Sequence, residues 1–182
     1  MVRPITEQNL KNAFSGESQA YMRYVIFSEI AEAERFPNVA RLFKAISYAE
    51  RIHASNHFSN LAYLEGGYLT IGMAGFGPGK TLKNLGIAID GELFEVNEMY
   101  PTYLETARSQ GEQGAARSFN YAYQTEKVHA ALFQKAKDTV QNGQDVQLGP
   151  IHICASCGYT VEGEAPDVCP ICNAKKDRFR AF

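Results

Sequence analysis

Ala49-Glu50-Arg51-Ile52-His53 and Thr125-Glu126-Lys127-Val128-His129 decide how this chain folds. Each pair sets a glutamate and a histidine three residues apart, so both side chains leave one face of a helix. The first pair lies on a stripe made of Val39, Leu42, Ile46, Glu50, His53, His57, Leu61 and Leu64. The second lies on Phe119, Ala122, Glu126, His129, Phe133, Ala136 and Val140. Two further stripes carry a lone glutamate: Leu10, Phe14, Glu17, Tyr21, Tyr24, Ser28, and Leu85, Ile89, Glu92, Val96, Met99, Tyr103. Charge on an apolar stripe is costly unless something pairs with it. Two lone glutamates and two Glu-x-x-His pairs on four helices are the donor pattern of a dinuclear metal site inside a four-helix bundle.

Working outward, the stripes predict helices over about 6–34, 38–65, 81–110 and 112–142, with Thr6 as the first N-cap. Phe36-Pro37-Asn38 separates the first two, because proline cannot continue a helix. Gly66-Gly67 is expected to end the second. Residues 66–80 hold six glycines and one proline, a long crossover between the halves. Pro101 predicts a kink near Asn97. Glu17 and Glu50 are 33 residues apart and Glu92 and Glu126 are 34 apart, which suggests a pseudo-repeat. Gly143–Pro150 reads as a linker. The expected division is a bundle over residues 1–145 and a small metal-binding module over 146–182, too short for a stable core without a metal or a partner surface.

The bulk properties are those of a soluble globular chain: 182 residues, 45% hydrophobic, 21% charged, net charge −2. Nothing in that balance draws it to nucleic acid or to a membrane surface. No apolar run reaches the roughly 20 residues of a membrane span, and the first residues lack a signal peptide's apolar stretch. The expected compartment is the cytoplasm. All four cysteines sit in two C-x-x-C pairs, which in a reducing compartment reads as metal ligation.

Glu17, Glu50, Glu92, Glu95 and Glu126 would gather five negative charges, and without cations several would take up protons. Two divalent or trivalent ions bracket that charge. Mixed carboxylate and imidazole donors suit iron or manganese better than structural zinc. Tyr24, two turns beyond Glu17, and Tyr100, five residues beyond Glu95, are candidates to hydrogen-bond ligand carboxylates. His57 is expected not to bind metal, since the Glu-x-x-His pair already fills its face.

Cys154-x-x-Cys157 and Cys169-x-x-Cys172 fit a tetrahedral site for iron or zinc. Gly158 and Asn173 follow the two pairs and tolerate left-handed backbone, as a tight knuckle with N–H groups aimed at sulfur requires. Such bonds tune a redox potential, which leans the reading to iron. His152 is expected to be exposed. Gly75–Thr81 has the look of a phosphate loop, but Ala74 stands where its first glycine belongs and no strand precedes it.

Gly16-Glu17-Ser18-Gln19-Ala20-Tyr21, the two Glu-x-x-His motifs, Gly91-Glu92-Leu93-Phe94-Glu95, Cys157-Gly158-Tyr159 and Cys169-Pro170-Ile171-Cys172 together resemble the rubrerythrin family over nearly the whole chain. The resemblance implies an all-α fold, a ferritin-like four-helix bundle followed by a small rubredoxin-like domain. It implies two non-haem irons in the bundle, one iron in the four-cysteine site (zinc as a substitute), and reduction of hydrogen peroxide to water as protection against oxidative stress. It further implies that Glu50 and Glu126 bridge the irons, that Glu17 holds one, that Glu92 and His129 hold the other, and that Glu95 and His53 exchange at one iron with redox state. Implied partners are a reductase or rubredoxin as electron donor and a second copy in a homodimer, with 66–80 as the hinge of a helix swap. The rival readings are a ferroxidase and an interaction protein stapled by structural zinc.

Overall fold

In the computed structural model, which describes residues 1–182, four antiparallel rods form the bundle and a small sheet docks on it. The rods are α1 (Pro4–Ala33), α2 (Pro37–Ser59), α3 (Thr81–Phe94) continued through a π-helical turn (Glu95–Met99) into α4 (Tyr100–Ser109), and α5 (Gln113–Val140). No helix is long and apolar enough to cross a membrane.

The expected stripes of α2 and α5 are buried as read from Val39 to Leu61 and from Phe119 to Val140. On α1 the buried line is Leu10, Ala13, Glu17, Ala20, Tyr24, Phe27 and Ala31, while Phe14, Tyr21 and Ser28 stay half-buried. Helix α1 meets α2 through small side chains, with Ala45 and Ala49 also fully buried. Thr6 is not the cap: Pro4 opens the helix after Arg3, and the Thr6 hydroxyl donates to Gln110 Oε1 at 2.7 Å. Helix α2 ends at Ser59, six residues before Glu65, where the Asn60 amide donates to Asn56 O at 2.8 Å and takes up a terminal carbonyl. Helix α3 starts on a borrowed cap, with Oε2 of Glu34, the residue just past α1, accepting from Thr81 N at 2.8 Å.

The third rod departs from one straight helix. The kink expected near Asn97 is a π-helical turn one residue wider than the α ladder. Pro101 lacks the N–H that would bond the Asn97 carbonyl. The inserted residue rotates everything after it. Val96, Met99 and Tyr103 are only half-buried, and Tyr100, Leu104 and Ala107 take the core. At about 100° per residue Tyr100 would sit about 80° away from Glu92 on an unbroken α-helix, and one inserted residue brings the two within about 20°.

Residues 66–80 cross the bundle without regular structure and lie against α1 and α3. Ile71 N donates to Asn12 Oδ1 at 3.1 Å, and a Cβ on Gly72 would stand 3.0 Å from Gly16 N.

The C-terminal module is a three-stranded antiparallel sheet in the order β2 (Thr160–Glu162), β1 (Ile151–Cys154), β3 (Phe179–Ala181). It is not a free appendage. Ile151 and Ile153 of β1 belong to the same core cluster as Phe43 and Phe133 of the bundle. The linker is pinned as well. Asp145 caps α2 by accepting from Asn38 N (2.8 Å) and Val39 N (3.2 Å), and Arg41 donates to Leu148 O and Gly149 O at 2.9 Å.

Candidate metal centre

Two donor groups meet in the middle of the bundle. Glu17, Glu50, His53 and Glu126 offer ligand atoms within 4.8 Å of one another, and so do Glu50, Glu92, Glu126 and His129. Glu50 and Glu126 belong to both groups, so two cations placed there would share those carboxylates. The six residues are at most 1% exposed. His53 Nδ1 lies 3.0 Å from Glu50 Oε2 and 2.8 Å from Glu126 Oε1. His129 Nδ1 lies 2.6 Å from Glu126 Oε2 and 3.2 Å from Glu50 Oε1.

The donors fit metal because they do not satisfy one another. Glu17 Oε2, Glu50 Oε1, Glu92 Oε2, both Glu126 oxygens and His129 Nδ1 are buried without a well-aligned hydrogen-bond partner. Leaving one such group unpaired is expensive, and six gathered across the two donor groups fit bound cations. The protein alone answers with protons. Burial, and then the Glu50 carboxylate, pushes Glu126 up to about 8. Burial favours neutral imidazoles, but the surrounding carboxylates, Glu126 for His53 and Glu50 for His129, hold both histidines well above their ordinary range.

Glu95 stands apart. It opens the π-helical turn, is half-buried, and belongs to neither donor group. It still feels the site: burial, then Glu17 and Glu126, raises its carboxyl well above the usual range. Its side chain lines a cavity of about 200 Å³ with Arg23, Met73, Gly75 and Asp90, between the crossover segment and α3. Glu95 is therefore the one carboxylate of the five that borders an opening. A larger hollow, about 870 Å³, lies elsewhere beside Glu32, Arg41 and Arg180 and touches none of the donors.

Both tyrosines singled out in the sequence reach ligands. Tyr24 Oη donates to Glu92 Oε1 at 2.6 Å, and Tyr100 Oη donates to Glu17 Oε1. Burial and the adjacent carboxylates, Glu92 for Tyr24 and Glu17 for Tyr100, push both phenols well above their ordinary value. His57 binds no donor group. Its Nε2 lies 3.0 Å from Tyr100 Oη and its Nδ1 lies 2.8 Å from Ser118 Oγ. Since the phenol proton goes to Glu17, Tyr100 Oη accepts from His57 Nε2–H, and Nδ1 accepts from Ser118. Burial lowers the His57 pKa, which agrees with a neutral ring. Ser118 escaped the sequence reading because it lies 61 residues from its partner.

In the module, Sγ of Cys154 and Cys172, and of Cys157 and Cys169, are 3.6 Å apart. A tetrahedron with bonds of about 2.3 Å has an edge of about 3.8 Å, so the sulfurs are set for one ion and too far apart for disulfides. Gly158 (φ 84°) and Asn173 (φ 63°) adopt the left-handed backbone expected of them. N–H groups of Ser156 and Cys157 point at Cys154 Sγ, of Tyr159 at Cys157 Sγ, and of Ala174 at Cys172 Sγ. His152 is half-buried, 2.7 Å from Gly163 O through Nδ1, and takes no part.

The module touches the bundle centre directly. A Cβ on Gly158 would overlap His53 Nε2, so the first knuckle lies flush against that imidazole. Thr160 Oγ1 is 2.8 Å from His129 Nε2, and Asn56 Nδ2 donates to Ser156 O at 3.1 Å.

Known proteins share this arrangement. The family described as Rubrerythrin matches residues 8–137, and the one described as Rubrerythrin, rubredoxin-like domain matches residues 152–180. The chain is 49% identical to Rubrerythrin-2 of Clostridium acetobutylicum, over 98% of this chain and 97% of that one. It is 33% identical to Nigerythrin of Nitratidesulfovibrio vulgaris, over 97% and 86%. The structure of nigerythrin in its fully reduced, all-ferrous state superposes with a TM-score of 0.84 at 33% identity, covering 97% of this chain and 86% of that one. Mycobacterium tuberculosis bacterioferritin shares the bundle fold alone, at 18% identity and a TM-score of 0.68 over 78% of this chain and 90% of that one. With a di-iron donor set in its bundle and four cysteines in its C-terminal module, this chain belongs to the rubrerythrin family.

Proposed function

We propose that the protein is a peroxidase that reduces hydrogen peroxide to two waters, taking up two protons and two electrons. The observation that carries the reading is the contact between the two metal sites: Gly158, the residue after Cys157, lies against His53. A ferroxidase has no use for a four-cysteine module placed there. Iron held by the bundle donors would supply the two electrons, and iron held by Cys154, Cys157, Cys169 and Cys172 would supply the means to replace them.

The remaining work belongs to the chain. The donors Glu17, Glu50, Glu92 and Glu126 are at most 1% exposed, so the packed helices keep bulk water from them. Glu95 borders the cavity of about 200 Å³, large enough for peroxide and too narrow for a bulky substrate. Its raised carboxyl can carry a proton inward at a carboxyl oxygen. Tyr24 Oη and Tyr100 Oη keep their protons and hold Glu92 and Glu17 in place. From Cys157 Sγ to His53 Nε2 the path is one residue's covalent bonds and one van der Waals step through Gly158. A reductase or small redox protein would refill the cysteine site from its exposed side, where Cys172 is only half-buried.

The test is anaerobic peroxide turnover by the iron-loaded full-length chain beside Glu50→Ala. Glu50 sits in both donor groups, so the variant should lose the bundle metal and turnover while keeping the red tetrathiolate absorbance. Full activity in the variant would overturn the reading. Oxygen-driven iron deposition that outpaces peroxide turnover would favour a ferroxidase instead.

A further inference from the structure

We propose that Thr160 of the C-terminal module is a positioning residue for the bundle centre: it sets which nitrogen of His129 is free to bind metal, and so couples docking of the module to the cation shared with Glu92. Thr160 opens β2, is 1% exposed, and places Oγ1 2.8 Å from His129 Nε2 and 3.1 Å from Gly158 O. The hydroxyl has one proton, and a carbonyl can only accept. The proton therefore goes to Gly158 O, and Oγ1 must accept from His129 Nε2–H. That assignment keeps the Nε2 proton in place, so the nitrogen that gives up its proton when a cation binds is Nδ1, which faces Glu126 Oε2 at 2.6 Å, Glu50 Oε1 at 3.2 Å and Glu92 Oε2 at 3.6 Å. Nδ1 has no well-aligned hydrogen-bond partner of its own, as a nitrogen reserved for a cation should be.

His53 supplies the contrast. Its outer nitrogen, Nε2, also meets this knuckle, but it faces the Gly158 backbone and has no hydrogen-bond partner. One short stretch, Gly158–Thr160, thus reaches the outer edges of both imidazoles and restrains only one. The two cation positions are therefore unequal: the His129 side is fixed from outside the bundle, the His53 side is not. The proposal rests on metal binding by the bundle, not on the peroxidase reaction.

Thr160→Val keeps the shape and removes the hydroxyl, and Thr160→Ser keeps the hydroxyl. Both are made in the full-length chain with cobalt(II) in the bundle and iron in the cysteine site, and unchanged tetrathiolate absorbance checks that the module is intact. Two quantities are read: the rate at which a chelator extracts each of the two cobalt ions, and exchange of the His129 Nε2–H proton with water in the NMR spectrum. In Thr160→Val one of the two ions should leave about 10- to 100-fold faster and the N–H should exchange rapidly, whereas Thr160→Ser should match the parent in both. Should the valine variant fail to fold, Thr160→Ala against Thr160→Ser makes the same comparison. Equal extraction and equal exchange with and without the hydroxyl would overturn the proposal.

Discussion

The bundle and the C-terminal module both gather metal donors, by opposite means. Cys154 and Cys172 are 18 residues apart, and two local knuckles orient every thiol. Glu17 and His129 are 112 residues apart, and only the packing of four helices brings their groups within reach. The module's geometry is written in adjacent residues, while the bundle's is a consequence of the core. The module can therefore be disturbed without losing its ion, whereas anything that loosens the bundle or its protons should release metal.

The largest expected difference between the two is in pH dependence. Glu126 is held protonated up to about 8 by burial and by Glu50, so in the metal-free fold this group's contribution to stability is complete below its ordinary 4.5 and is lost as the pH rises through 8. Metal binds the carboxylate and must expel that proton, and the protons that Glu126 and Glu50 keep on His53 and His129 must leave too. Bundle affinity for cobalt(II) should therefore rise at least tenfold per pH unit between 6 and 8, with measurable proton release. Chelator competition across that range checks it. A flat profile would mean the carboxylates are already ionised.

The second difference concerns the core. Ile153 belongs to the module by sequence and to the bundle by packing. Ile153→Ala should cost about 2–5 kcal/mol and lower the urea midpoint of the helical signal together with that of the tetrathiolate absorbance. Two separated transitions, with only the module shifted, would show that the parts fold independently.

These contacts mark the limit of what the sequence discloses. Large apolar residues made the faces of α2 and α5 readable from Val39 to Leu61 and from Phe119 to Val140. On α1 the expected stripe meets the core at Leu10, Glu17 and Tyr24 but not at Phe14, Tyr21 and Ser28, because Ala13, Ala20 and Ala31 carry little hydrophobic weight and bury only where a neighbouring helix comes close. On the third rod the expected stripe holds as far as Glu92, after which an inserted residue moves the core line to Tyr100, Leu104 and Ala107. Those three are spaced by four and three and bracket Pro101, so the shift leaves a trace in the sequence. The donors were legible because charges on apolar stripes stand out. Ser118 and Thr160 were not, because a hydroxyl near a core is common and its partner lies 61 residues away in one case and 31 in the other.

The smallest expected effect tests how far the bundle centre depends on such unread partners. Ser118, His57, Tyr100 and Glu17 form one buried hydrogen-bonded line, in which each donor has a single acceptor. Tyr100→Phe removes the hydroxyl between its two ends, leaving His57 Nε2–H with nothing nearer than Glu17 Oε1 at 3.9 Å and Glu17 short of a partner. An unpaired buried group costs about 1–3 kcal/mol, so the metal-free fold should lose that much in urea. In the metal-loaded protein a cation supplies Glu17 with its missing partner, and the cost should shrink toward that of His57 alone. Tyr24→Phe is the control from the other side of the site: it frees Glu92 in the same way but strands no histidine, because Tyr24 Oη meets Glu92 only. The Tyr100 variant should therefore remain the less stable of the two after metal is added. Equal stability of the loaded variants would show that His57 contributes nothing through Tyr100 and that the line ends at the carboxylate.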